Sequence, residues 1–141
     1  MVNLLTNLGE EYWNKNDLEG VSIDIGLYND STDTITETDN LSEITTEPSG
    51  DSYDRQTDTF STAKISGNWG IQNDSSLSFD VSDSTQTVDA FLLVINFQAE
   101  DTGDEEANDN LVACGALTQS RDLSQIDCLD INASDCQVIL S

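Results

Sequence analysis

Apolar residues recur along much of this chain at every second position, the spacing of strands whose side chains alternate between two faces. From Val21 to Tyr28 the alternation is strict, with Val21, Ile23, Ile25 and Leu27 on one side and Ser22, Asp24 and Gly26 on the other. Thr57 to Ile65 reads as a strand rich in Thr and Ser. Trp69 and Ile71 follow the turn-forming pair Gly67-Asn68, and Leu77, Phe79 and Val81 form the next inward face. Val88 to Phe97 is apolar at both parities, which predicts a central strand covered on each side. Leu111 to Leu117 is a second buried run, Arg121-Asp122-Leu123 a connection, Gln125 to Ile131 a weaker strand, and Cys136 to Leu140 a closing strand.

The period changes at the start of the chain. Leu4, Leu5, Leu8, Tyr12 and Trp13 recur at three- and four-residue steps, predicting a short helix within residues 1 to 18 that Asn14, Asn16 and Asp17 terminate. So short a helix is marginal alone, and its apolar face needs a surface to pack on, either the domain or a neighbouring subunit. Two stretches, Asn29 to Asn40 and Ala99 to Asn110, are polar enough to read as solvated loops. Pro48, Ser49 and Gly50 predict a tight reversal.

Seven or eight short strands separated by turns, with no helices between them, point to an all-β antiparallel fold, a β-sandwich or jelly roll with a short N-terminal helix. The chain of 141 residues accommodates a single such domain over 21–141, preceded by a helical segment over 1–20.

Charge sharpens this picture. Four Lys and Arg face 28 Asp and Glu, a formal net charge of −24. Self-repulsion of that size strains a compact chain. Disorder is one way out, but the periodic apolar runs argue against it. Concentrated salt is another, because at about 1 M the screening length falls to about 3 Å while exposed carboxylates stay hydrated. A folded domain adapted to a hypersaline setting follows. Lys15, Arg55, Lys64 and Arg121 are scattered, so neither nucleic acid nor an anionic membrane is an expected partner. The opening residues carry no signal peptide pattern, which predicts synthesis in the cytoplasm.

The residues offer little for catalysis. The chain has no His, which removes the usual triads, and no phosphate loop or nucleophile-elbow motif occurs. Among so many acids some carboxylate pair falls at glycosidase spacing by chance, so such a pair carries no information. The expectation is a protein that is not an enzyme and has no cofactor. Asp30 and Asp33 beside Asn29, and Asp101 and Asp104 beside Glu105, offer oxygen ligands for Ca2+, Mg2+, Na+ or K+, although neither group matches the twelve-residue calcium loop. Tyr12, Trp13, Tyr28, Tyr53, Phe60 and Trp69 are core packing or a sugar-binding face. Cys114, Cys128 and Cys136 read as small buried hydrophobes, with a Cys128–Cys136 disulfide as the alternative.

Taken in order, Asn3 to Asn7, Leu27 to Asp30, Leu41 to Gly50, Tyr53 to Gln56 and the final run from Val88 resemble small virion structural proteins of tailed viruses. The stretch from Glu47 through Pro48, Ser49 and Gly50 to Tyr53, Asp54 and Arg55 is its most specific part. It makes sense as a corner in which Gly50 permits a left-handed turn and Arg55 pairs with a carboxylate or caps carbonyls. The resemblance implies a capsid decoration or turret subunit in the virion of a tailed virus of a halophilic archaeon. Such a subunit binds the major capsid protein or other virion proteins and forms a homo-oligomer, a trimer or pentamer, its segment 1–20 contacting the capsid or its own oligomer, with Leu4, Leu5, Leu8, Tyr12 and Trp13 at the interface. A tail fibre or receptor-binding module, and an acidic carbohydrate- or calcium-binding sandwich, are the alternatives.

Overall fold

A computed structural model describes residues 3–15, 21–97 and 108–139 of the chain. Nine strands are formed within them: β1 (Asn3–Leu5), β2 (Ser22–Tyr28), β3 (Gln56–Ile65), β4 (Asn68–Asn73), β5 (Leu77–Asp80), β6 (Thr87–Phe97), β7 (Asn108–Asp122), β8 (Cys128–Ile131) and β9 (Gln137–Ile139). Helix α1 spans Asn7–Lys15 and the single-turn helix α2 spans Asp30–Asp33. The fold is all-β, and every strand pairing is antiparallel.

Seven strands form one sheet in the order β1-β7-β6-β2-β3-β4-β9, while β5 and β8 form a second, two-stranded sheet. The large sheet curls until its ends meet, where the Ile139 N–H donates to the Asn3 side-chain oxygen at 3.1 Å. Its concave face buries Ile23, Ile25, Leu27, Phe60, Ile71, Phe91 and Leu93. Leu77 and Phe79 of β5 and Leu129 and Ile131 of β8 close over the same core. Strict alternation along β2 therefore has the consequence expected of it: the odd-numbered positions are interior.

The central position of Val88 to Phe97 is also as expected, with Phe91, Leu93 and Ile95 facing inward and Ala90, Leu92 and Val94 joining a second apolar cluster outside the sheet. Tyr28, Leu111 and Cys114 complete that outer cluster, and Ile35, Leu41 and Ile44 cover it. Asn29 to Asn40 is thus not a free solvated loop. It opens with α2, buries Ile35, and runs on as a strap over the back of the sheet. One buried Ile among polar neighbours anchors the segment, which a count of polar residues does not reveal.

The N-terminal segment also differs from a single helix. Leu4 and Leu5 lie in β1, opposite Cys114 and Ala113 of β7. Helix α1 starts only after Thr6, whose buried hydroxyl accepts from the Gly9 N–H at 3.0 Å as an N-cap and donates to the Leu111 carbonyl at 2.6 Å. Pairing to a long neighbour strand outweighs helical spacing over three residues.

Two expected turns sit one or more residues away from where the sequence suggests. The β3–β4 reversal uses Ser66 and Gly67, with φ of 50° and 84°, and Asn68 already pairs with Ile65. Two left-handed residues match the twist of a two-residue hairpin, and Gly67 adopts that conformation without steric cost. Near Pro48 the tight turn is Gly50 to Tyr53, closed by a 3.1 Å hydrogen bond. Gly50 is not left-handed; it is needed because a Cβ there would lie 2.2 Å from an Asp83 carboxylate oxygen.

Candidate interaction surface at the sheet seam

The carboxylates were the residues from which a cation site was to be read, and most of those described are engaged with the chain itself. Asp33 accepts from the backbone N–H and the hydroxyl of both Thr45 and Thr46, at 2.6 to 3.2 Å. Desolvation works against its charged form, but these hydrogen bonds outweigh it and hold the carboxyl below its ordinary range. Asp30 accepts from the Tyr28 hydroxyl at 2.9 Å and the Ile35 N–H at 3.2 Å, and Asn29 caps α2. Asp74 is likewise held low by hydroxyls of Ser61 and Thr59. Asp30 and Asp33 therefore pin the strap, and among the described residues no three His, Cys, Asp or Glu side chains converge to hold a metal ion. Asp101, Asp104 and Glu105 lie outside the described residues.

In the Glu47 to Arg55 corner the expected pairing of Arg55 with a carboxylate is present, although Gly50 does not take the left-handed conformation. Arg55 forms a fork with Glu47, Nε to Oε2 at 2.9 Å and Nη2 to Oε1 at 2.8 Å, which raises the guanidinium pKa. The Tyr53 hydroxyl donates to Glu47 at 2.8 Å and accepts from the Leu27 N–H at 2.9 Å. Leu27 lies beyond the last residue of β2 paired with β3, so a side chain takes over where the ladder stops. Gly26 leaves room for it, since a Cβ there would meet the Glu47 carboxylate at 2.6 Å. The result is a corner in which Glu47, Tyr53 and Arg55 bond one another and hold the end of β2.

The cysteines divide. Cys114 and Cys136 are buried, and desolvation pushes both thiols up to about 12. Cys128 is exposed on β8 beside Ser78 and Asp130. All three are free, so the Cys128–Cys136 disulfide is not present. Cys128 belongs to the small sheet, and Cys136 follows a turn that enters the core.

The five residues expected at an interface are not brought together on one face. Leu8 is buried, Tyr12 packs edge-on against Phe97 with ring centroids 5.0 Å apart, and Leu5 and Trp13 lean on the interior core. Leu4 alone faces the outer side, where it lines a hollow. Of the aromatic residues, Tyr28 and Phe60 are core and Tyr53 stacks on Phe79, whereas Trp69 is 57% exposed beneath Lys64.

Among the described residues, β1 pairs with β7 from Ala113 to Gly115, and β7 continues to Asp122. On its other side β7 pairs Ala116 with Ala90 and then Arg121 with Val88. Leu117 to Ser120 therefore face the single residue Asp89 across a wide bulge. Asp89 does not serve them. Its carboxylate accepts from the Asp30 N–H at 2.7 Å, the Ser31 N–H at 3.3 Å and the Ser31 hydroxyl. Hollows of about 620 and 300 Å3 flank the stretch, one toward α2 and one toward Ile65 and Ile139 at the seam. Thr118, Gln119 and Ser120 are exposed, and Leu117 is half-buried.

Other residues that organise this region escaped sequence reasoning. Asn40 accepts from the Leu111 N–H at 2.8 Å and donates to Asn110 at 3.0 Å, plugging a second β7 irregularity. Asn110 in turn donates to the Phe97 carbonyl at 2.7 Å. Nothing in an Asn-rich segment singles these two out. Asp89 did leave a signal, as the lone carboxylate between Val88 and Ala90 in an apolar strand. Compared with protein families, curated proteins and solved structures, the chain shows no match.

Proposed function

We propose that this chain is a non-catalytic structural subunit of a virus particle working in concentrated salt, a capsid decoration or turret protein that binds the major capsid protein and itself. The observation that carries the salt reading is the way acids are used. Asp33, Asp74 and Asp89 supply acceptors to backbone and hydroxyl donors of their own fold, and the chain as a whole keeps a formal net charge of −24. Such a charge is tolerable where repulsion is screened. The virion assignment rests on the resemblance of the Leu41 to Gln56 corner and the closing strands.

The test is the mass of the protein by light scattering in about 3 M and about 0.1 M KCl, chosen either side of the screening limit. A defined oligomer in high salt that dissociates or unfolds in low salt is the expected result. A monomer indifferent to salt would overturn the reading. Mass spectrometry of separated heads and tails would then place the subunit on the particle. Exposed Trp69 favours a second reading, a receptor- or glycan-contacting module. It predicts saturable quenching of tryptophan fluorescence by oligosaccharide, lost in Trp69→Ala.

A further inference from the structure

Four stretches of this chain carry the pattern Asn-x-Ser of an acceptor for an N-linked glycan: Asn29-Asp30-Ser31, Asn40-Leu41-Ser42, Asn73-Asp74-Ser75 and Asn132-Ala133-Ser134. In a chain rich in Asn and Ser the pattern arises readily by chance, and the fold separates the four. Asn73 is 1% exposed; its side chain donates to the Asn132 carbonyl at 3.1 Å and accepts from the Cys136 N–H at 2.9 Å. Asn40 is engaged with Leu111 and Asn110, and the Ser42 hydroxyl donates to Glu43. Asn29 caps α2, and the Ser31 hydroxyl is bound to Asp89. Asn132 is different. It is exposed at the start of a tight turn between β8 and β9, closed by the Asp135 N–H donating to the Asn132 carbonyl at 3.2 Å. Among the described residues, no group is hydrogen-bonded to the Asn132 side-chain amide or to the Ser134 hydroxyl.

We propose that Asn132 is the acceptor of an N-linked glycan. The buried member of the set holds the exposed one in place: the Asn73 side chain grips the Asn132 carbonyl, and the Asn73 carbonyl accepts from the Ser134 N–H at 2.9 Å. The backbone of the turn is thereby fixed, and the Asn132 side chain is left in solvent. An amide nitrogen is a weak nucleophile because its lone pair is delocalised into the carbonyl, so a transferase must reach both this amide and the hydroxyl two residues on. Transfer joins the Asn132 Nδ2 to the anomeric carbon of a sugar carried as a lipid-linked glycosyl phosphate. The bond from that carbon to the phosphate oxygen breaks, the phosphate leaves with the electron pair, and the amide proton passes to a base of the transferase. The donor is anionic. Neutral Ala133 sits at the centre of this motif, whereas Asp30 and Asp74 would set a carboxylate beside the phosphate at Asn29 and Asn73. A glycan is bulky and hydrated, so the β8–β9 turn faces solvent and not a neighbouring subunit. This modification adds to the proposed function without depending on it, and it requires that the chain, once made, meets a membrane-held donor.

The test is peptide mass spectrometry of the full chain purified from its natural source. Cleavage after Lys and Arg puts Asn132 on the peptide that begins at Asp122, Asn73 on the peptide from Ile65 to Arg121, and Asn29 and Asn40 on the peptide from Asn16 to Arg55. The expected result is added sugar mass on the first of these alone, with fragmentation placing it on Asn132. Produced in the same source, Asn132→Gln and Ser134→Ala should lose that mass and Ser134→Thr should keep it, at an unchanged melting temperature. If Ser134→Ala melts early, Asn132→Gln carries the comparison, since its side chain has no hydrogen bond to lose. An Asp122 peptide at its unmodified mass would overturn the inference while leaving salt-dependent self-assembly standing. Sugar on either of the other two peptides would overturn the selection of Asn132 by the fold.

Discussion

The two apolar clusters on either side of β6 are held in different ways. Inside, Phe60, Phe79, Phe91 and the aliphatic residues of β2 enclose one another with essentially no exposed surface. Outside, Leu92, Val94 and Cys114 are covered by a strap that contributes only Ile35, Leu41 and Ile44, and carboxylate and amide side chains fasten it. Asp33 and Asp89 tie its first half, Asn40 its middle, and Glu47 with Tyr53 and Arg55 its end. The interior is stabilised mainly by burial, which does not depend on ionisation. The outer layer depends on groups that must be charged or correctly oriented. In an acidic chain this puts to structural use residues that would otherwise only repel.

The comparison is broken most severely from within. Phe91→Ala removes a ring from the interior centre and should cost about 3–5 kcal/mol, read from denaturant unfolding in high salt, because the surrounding strands cannot collapse into the gap. Leu92→Ala, one residue away on the other face, should cost less if the strap settles into the space. Equal losses would mean that both layers unfold as one unit.

Asp33→Ala should act on the strap alone, removing four acceptor contacts at a cost of about 1–3 kcal/mol. Hydrogen exchange should quicken in residues 29–46 while β2 and β6 stay protected. Acid should reproduce this. The Asp33 carboxyl is held below its ordinary range, so the stability it contributes is complete above about pH 4 and fades as pH falls through its lowered value. Exchange in the strap should therefore rise below about pH 4, before the interior opens; strap amides unchanged by acid would remove Asp33 as their fastening.

The smallest effect concerns reactivity. In the native state one thiol per chain, Cys128, should react with an alkylating reagent at pH 8. Cys114 and Cys136, buried with thiols raised to about 12, should react only on unfolding. Early reaction of Cys114 without Cys136 would show that the outer layer opens by itself.

Legibility in the sequence followed the same division. Alternation in Val21 to Tyr28 and the doubly apolar Val88 to Phe97 were readable because a strand's two faces are set by local geometry. So was the partnership of Arg55 with an acid, since so few cations face so many carboxylates. The strap was misread because its composition is that of a loop, and only a sheet with an uncovered back gives Ile35 a reason to be buried. β1 was misread because its partner strand is more than a hundred residues away. Position in the chain could not disclose the Asn40–Asn110 pair or the four-residue bulge opposite Asp89.

By itself, then, the amino-acid sequence determined the all-β class, the main inward faces and the strongly acidic charge, because these depend on period and composition. Only the tertiary structure decided which strands are neighbours and which acids become fastenings. Those outcomes depend on contacts between distant residues, each worth little until the chain has brought them together.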